Sequence, residues 1–207
     1  MKSAPGAGLP PGPPRGSTEP GAARRPVAQN AVDRAREVRL LALDVDGTLT
    51  DGTLLIGGDA EVAKPFSVRD GFGLNLLRQA GIEVAIITAR QSAIVARRAA
   101  ELGIGQVHQG VKDKRARLQA LCAEAGIGLE RAAYMGDDWP DLAVMASCGL
   151  AAAPVDAEPE VRAAAHWVSS VPGGRGAVRE LALFILDAQG RRAELLARYA
   201  AAPPPAR

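Results

Sequence analysis

An α/β domain, doubly wound around a mostly parallel sheet, is the fold predicted for this chain. Two observations predict it: short apolar runs alternate with amphipathic stretches, and acidic or glycine-containing turns close several of those runs. That alternation calls for helices on both faces of the sheet, with polar groups gathered in the crevice at the carboxyl ends of the strands. A length of 207 residues suits one such domain and is too short for two with linkers.

Taken in order, residues 1–37 include Pro5-Gly6-Ala7-Gly8 and Pro10-Pro11-Gly12-Pro13-Pro14. Burial of so little apolar surface cannot offset ordering entropy, so a disordered tail is predicted, with folding from about Val38. Arg39–Leu43 is a short apolar run ended by an acidic turn, which suits a strand buried on both faces. Glu83–Thr88 repeats that pattern, and Gln106–Gln109, Ala132–Met135, Gly149–Ala152 and Ala165–Val168 are further strands. Between residues 50 and 66, Thr53–Ile56 and Glu61–Lys64 flank Gly57-Gly58-Asp59-Ala60, a β-hairpin pattern. This insertion is too small to act as a cap domain, so a neighbouring subunit is expected to help close the pocket. Leu118, Leu121, Cys122 and Ala125 fall at helical spacing before the stop residue Gly126, and Val178, Leu181, Ala182 and Ile185 repeat the spacing. The domain thus spans 38–187, and 188–207 read as a C-terminal helix and tail.

Composition narrows the classes. Aromatic residues are 3% of a chain that is 47% hydrophobic, so the core is expected to be aliphatic. A net charge of +2 from nearly balanced totals gives no broad basic surface for nucleic acid. Cys122 and Cys148 lack metal or redox spacing and read as buried free thiols. No apolar stretch is long enough to span a bilayer, and no secretory leader is visible, so a cytoplasmic address is expected.

The chemistry starts at Asp44-Val45-Asp46-Gly47-Thr48-Leu49, where the first strand gives way to a turn. Two carboxylates two residues apart repel each other unless a cation or donors neutralise them. A hard divalent ion does so, and magnesium binds through one or two carboxylates together with substrate phosphate. Gly136-Asp137-Asp138, at the end of another strand, supplies a further acidic group. Thr88 follows the second strand and Lys114 stands near a helix start, in an order that suits phosphoryl transfer. Asp44 would accept the phosphoryl group, Thr88 would donate to its oxygens and Lys114 would neutralise them. Asp46 would protonate the leaving oxygen and then take a proton from the hydrolytic water.

These residues resemble the haloacid dehalogenase-like phosphatases, whose core is Rossmann-like, through Asp44-Val-Asp46-Gly-Thr-Leu, Thr88, Lys114 and Gly136-Asp137-Asp138. More specific features resemble the 3-deoxy-D-manno-octulosonate 8-phosphate phosphatase branch over residues 38–187. They are Asp51-Gly52, Val68-Arg69-Asp70-Gly71-Phe72-Gly73, Ile86-Ile87-Thr88-Ala89-Arg90, His108-Gln109-Gly110 and Gly173-Gly174-Arg175-Gly176-Ala177-Val178-Arg179-Glu180. The resemblance implies an Mg²⁺-dependent homotetramer, its sites completed by neighbouring chains, acting in the synthesis of the inner-core sugar of lipopolysaccharide. It implies Asp44 as nucleophile, Asp46 as acid/base and backbone metal ligand, and Asp137 as direct metal ligand, with Asp138 and Asp141 in support. Arg69, Arg90 and Arg175 would recognise an anionic sugar phosphate through paired guanidinium donors. Ala89 and Trp139-Pro140-Asp141 depart from the usual pattern without removing a charged group.

Other readings stand beside this one. Lys112 competes with Lys114 for the phosphate, and the three arginines could instead form surface pairs. The glycines at 173–176 could be a hinge, and His108 and His166 read as structural. A sialic-type nonulosonate 9-phosphate would ask for nearly the same constellation. A phosphate-accepting signalling module shares the acidic cluster, threonine and lysine, but gives Asp46 no role. A pure assembly protein leaves the acidic cluster without a purpose.

Overall fold

The computed structural model describes residues 29–58 and 60–201. Part of the tail expected over 1–37 is ordered instead: Gln29–Glu37 forms a helix, α1. Ala31, Ala35 and Val38 recur at i, i+4 and i+7 and are fully buried against the last long helix and the sheet. Small residues at that spacing carry weak hydropathy, which is why the proline-rich surroundings masked them. The end of α1 is tied down where Gln189 Nε2 donates to the carbonyls of Ala35 (3.1 Å) and Val38 (2.9 Å). The rest of the expected tail, 1–28, and residues 202–207 lie outside the described residues.

The sheet is built on β1 (Leu40–Leu43), buried along its whole length. It pairs in parallel with β4 (Glu83–Ile87) on one side and β6 (Ala132–Met135) on the other. β5 (Gln106–His108) extends the first side, and β7 (Leu150–Ala153) and β8 (Trp167–Val168) extend the second, giving the order β5-β4-β1-β6-β7-β8 with every pair parallel. The expected strands are all present, with ends shifted by one or two residues. The chain runs outward from β1 to β4 and β5, then returns to the other side of β1 to begin β6. That reversal opens a crevice at the carboxyl end of β1, where ligands bind in open α/β sheets.

Side chains alternate along β1. Leu41 and Leu43 enter a cluster with Leu74, Leu77, Leu181 and Ile185, from α2 (Val68–Gln79) and α7 (Ala177–Ala188). Leu40 and Ala42 face Leu118, Leu121 and Cys122 of α4 (Lys114–Glu124) and Val144 and Met145 of α5 (Leu142–Met145). α3 (Ala93–Glu101) and α6 (Pro159–Ala164) complete the layers, and α8 (Arg192–Ala201) is the predicted C-terminal helix. Both cysteines are free and buried, and the core is aliphatic with Tyr134 as its largest fully buried side chain.

Asp70 joins the two helices that flank the front of the sheet. Its carboxylate, 1% exposed, accepts hydrogen bonds from the backbone of Gly176 (3.1 Å) and Arg179 (2.8 Å) at the start of α7. The Val68–Gly73 motif therefore does structural work through Asp70, satisfying donors that the helix cannot satisfy itself.

The insertion after β1 is a separate two-stranded hairpin, β2 (Leu55–Gly57) and β3 (Ala60–Ala63), antiparallel with a register shift at Leu55 and Ile56. Leu55, Ile56 and Val62 are 47%, 65% and 62% exposed, an apolar surface without a packing partner among the described residues.

Candidate active site

Asp44 follows β1 directly, its backbone N–H donating to Met135 O of β6 (3.0 Å). The chain then coils tightly, with Thr48, Leu49 and Thr50 all donating to the carbonyl of Val45. Gly47 makes the coil possible: its φ is +90°, and a Cβ there would lie 2.0 Å from Asp137 Oδ2. The acidic loop after β6 can approach the turn only because that side chain is missing. Thr48 Oγ1 donates to Asp137 Oδ1 at 3.0 Å and joins the two loops.

Three carboxylates meet in this crevice: one oxygen each from Asp44, Asp137 and Asp141 lie within 4.8 Å of one another. Lys114, at the start of α4, enters from the side, 3.1 Å from Asp44 Oδ1 and 2.7 Å from Asp141 Oδ1. Asp141 is fully buried and also accepts from Tyr134 Oη (2.7 Å) and from the backbone N–H groups of Asp137 (3.1 Å) and Asp138 (3.3 Å). Burial, reinforced by Asp141 and opposed by Lys114, pushes the Asp44 carboxyl up to about 6. Burial and the charges of Asp44 and Asp141 push Asp137 up to about 7. Burial works against the Lys114 charge, but Asp44 and Asp141 together outweigh it and hold the ammonium above its ordinary range.

The donor set fits a hard divalent cation. All three side chains offer oxygen, and their mutual repulsion is what such an ion relieves. A pH dependence follows. Asp44 and Asp137 bind protons more tightly folded than unfolded, so between about pH 4 and pH 7 the native state holds more protons. Without metal, stability therefore falls as pH rises through that window, by an amount on the order of a few kcal/mol. Magnesium competes with those protons, so its stabilisation should be small at pH 5 and large at pH 7.5. Thermal melts at both pH values, with and without Mg²⁺, check this, and an equal shift at both would contradict it.

Asp46 turns away from the three carboxylates. Its Oδ1 pairs with Lys64, just beyond β3, and its Oδ2 lies 3.7 Å from Arg90 Nε. Thr88 is buried at the end of β4, and its Oγ1 accepts from the backbone N–H of Arg90 at 3.4 Å. Lys112 is exposed, whereas Lys114 is buried against Asp44. Arg175 is exposed and lies 3.3 Å from Asp51. Its loop is no loose hinge: a Cβ on Gly173 would fall 1.7 Å from Gly47 O, and Gly174 N donates to Thr48 O at 3.0 Å. Arg69 is exposed on the first turn of α2, outside these contacts. Asp138 is exposed and caps the short turn Trp139–Asp141, while Asp141, read as supporting, stands inside the cluster. His166 Nδ1 accepts from Ala151 N at 2.9 Å, a structural bond. Sequence reasoning missed Lys64 and Tyr134, whose only signal was an isolated lysine in a hairpin and an isolated tyrosine in a strand.

An acidic crevice at the switch point of a Rossmann-like sheet, with a buried lysine beside it, defines a class, and a family model for haloacid dehalogenase-like hydrolases matches residues 104–178. The 3-deoxy-D-manno-octulosonate 8-phosphate phosphatase of Yersinia pestis is 44% identical over 166 residues, covering 80% of this chain and 89% of that protein. Its crystal structure superposes with a TM-score of 0.78. The Moraxella catarrhalis phosphatase of the same name, solved with magnesium, phosphate and 3-deoxy-D-manno-octulosonate (KDO), is 40% identical with a TM-score of 0.80, covering 83% of this chain and 99% of that one. The chain belongs to the 3-deoxy-D-manno-octulosonate 8-phosphate phosphatase family.

Proposed function

We propose that this protein hydrolyses 3-deoxy-D-manno-octulosonate 8-phosphate to KDO and phosphate through an aspartyl phosphate on Asp44. The observation that carries the reading is the meeting of Asp44, Asp137, Asp141 and Lys114 at the carboxyl end of β1, in a chain 40% identical to a relative solved with KDO, phosphate and magnesium. Asp44 attacks phosphorus and the bond to the sugar oxygen breaks as Asp46 gives that oxygen a proton. Asp46 then takes a proton from water, whose oxygen attacks phosphorus; the bond to Asp44 breaks, phosphate leaves and the Asp44 carboxylate is restored. Lys114 neutralises charge on Asp44 and on the phosphoryl oxygens, Asp141 holds Lys114 in place, and Thr88 donates to the phosphoryl group. Asp137, Asp44 and the backbone of Asp46 are the groups we assign to magnesium, which when bound supplies positive charge against the phosphoryl oxygens. Asp138 supports the loop as a cap. Arg69, Arg90 and Arg175 are assigned to the anionic groups of the sugar phosphate.

Phosphate release from the eight-carbon 8-phosphate and from a sialic-type 9-phosphate, each with and without Mg²⁺, tests the reading. Strong Mg²⁺-dependent preference for the first is expected. Preference for the second would keep the mechanism and replace the substrate, whereas release from neither would return the signalling and assembly readings.

A homotetramer is part of the proposal, supported by the exposed apolar residues of the hairpin. Sedimentation velocity should give one species of four chains, and a monomer would remove this part. Among the described residues no helix is long and apolar enough to cross a membrane. The cytoplasm, as the place of lipopolysaccharide inner-core sugar synthesis, is the corresponding location, and two unpaired buried thiols agree with a reducing compartment.

A further inference from the structure

Lys64 stands at the foot of a hairpin whose large apolar side chains are exposed, yet its own side chain is only 1% exposed. A lysine this deeply buried needs a carboxylate partner. Lys64 has two: it pairs with Asp46 Oδ1, and its ammonium lies 2.9 Å from Glu61 Oε1. Glu61 in turn accepts from the hydroxyl of Ser92. Ser92 caps α3 through Val95 N (3.4 Å), and its own N–H donates to Gln109 Oε1 (2.6 Å). An unbroken polar chain therefore runs from Asp46 through the hairpin to the start of α3.

The two oxygens of Asp46 are divided by this arrangement. Oδ1 is fixed by the buried ammonium, whereas Oδ2 faces Arg90, whose side chain is 51% exposed. The second oxygen is thus the one open to an incoming substrate. We infer that Lys64 is a positioning residue, which locks the Asp46 carboxylate with one oxygen presented to the leaving group and makes that geometry depend on the seating of the hairpin. The inference rests on the proposed reaction, in which Asp46 protonates the leaving oxygen. A small displacement of a catalytic group costs rate out of proportion to the distance, because the reacting atoms must be held in a near-attack arrangement. The hairpin then has a role within its own chain, in addition to any contact with a neighbour.

The test compares two substrates on the full chain with Mg²⁺. The alkyl oxygen of 3-deoxy-D-manno-octulosonate 8-phosphate leaves only with a proton, whereas the p-nitrophenolate of p-nitrophenyl phosphate leaves without one. kcat/KM reports the step in which that ester bond breaks. Lys64→Met should lower kcat/KM for the sugar phosphate by roughly 100-fold, the scale of general-acid catalysis, and leave that for the aryl phosphate nearly unchanged. Lys64→Arg, which keeps a cation, should restore part of the loss. Glu61→Gln loosens the anchor but keeps the ammonium, and should give a smaller loss with the same selectivity; it decides the matter if Lys64→Met does not fold. Equal losses on both substrates, or no loss in a folded variant, would overturn the inference. A wild-type protein inactive on the sugar phosphate would instead overturn the proposed function.

Discussion

Asp44→Asn is expected to abolish turnover while the fold stands. The amide keeps the shape of the carboxylate at the end of β1 but lacks the charge that attacks phosphorus in the proposed reaction. Losing the nucleophile of a covalent mechanism typically lowers kcat on the order of 10⁴-fold or more. The fold should survive because the substitution removes a charge that burial and Asp141 already disfavour. Near pH 7.5 the metal-free variant should melt no lower than the metal-free parent. Phosphate release and a thermal melt on one preparation separate the two effects. Near-normal turnover would remove Asp44 from the role given to it.

Asp141→Ala should produce the largest loss of stability among the site residues. Its carboxylate is fully buried and satisfies Lys114, Tyr134 and two backbone N–H groups at once. Removing one partner of a buried ion pair leaves the other charge uncompensated, at a cost of about 3–5 kcal/mol. Alanine at Asp138 loses only an exposed cap, worth about 1 kcal/mol. Urea unfolding of both variants checks the contrast, and equal losses would show that the buried network does not bear the load assigned to it. Activity should fall with the first variant as well, since Lys114 loses the carboxylate that orients it.

The fold was legible because its signals are local. β1 and the buried part of β4 are aliphatic runs and β6 is an apolar one, and parallel strands buried on both faces demand such runs. The hairpin was visible through its glycines, although its pairing begins two residues later than the pattern predicts. α1 was missed because its two buried residues, Ala31 and Ala35, are small and barely register as hydrophobic among polar neighbours. In the site, the meeting of Asp44 and Asp137 was readable because acidic residues gathered at strand ends are costly without a cation, whereas Asp46 turns to Lys64 instead of joining them. Asp141 was undervalued: its depth is set by the turn Trp139–Asp141, which aims the side chain back beneath Asp137. Lys64 and Tyr134 belong to no local pattern: Lys64 reaches Asp46 from just beyond the second strand of the hairpin, and Tyr134, close in sequence to its partner Asp141, reads as one more core residue of β6.

In the proposed reaction, phosphate passes through Asp44 on its way to water. The most direct measurement is a single turnover with excess enzyme, Mg²⁺ and 3-deoxy-D-manno-octulosonate 8-phosphate, quenched in acid within the first turnover and digested for peptide mass analysis. The predicted result is phosphate on Asp44 in the peptide containing Asp44-Val45-Asp46, rising and then decaying as free phosphate appears, and absent from Asp44→Asn. Full release of phosphate with no labelled peptide at any time, together with activity in Asp44→Asn, would contradict the account.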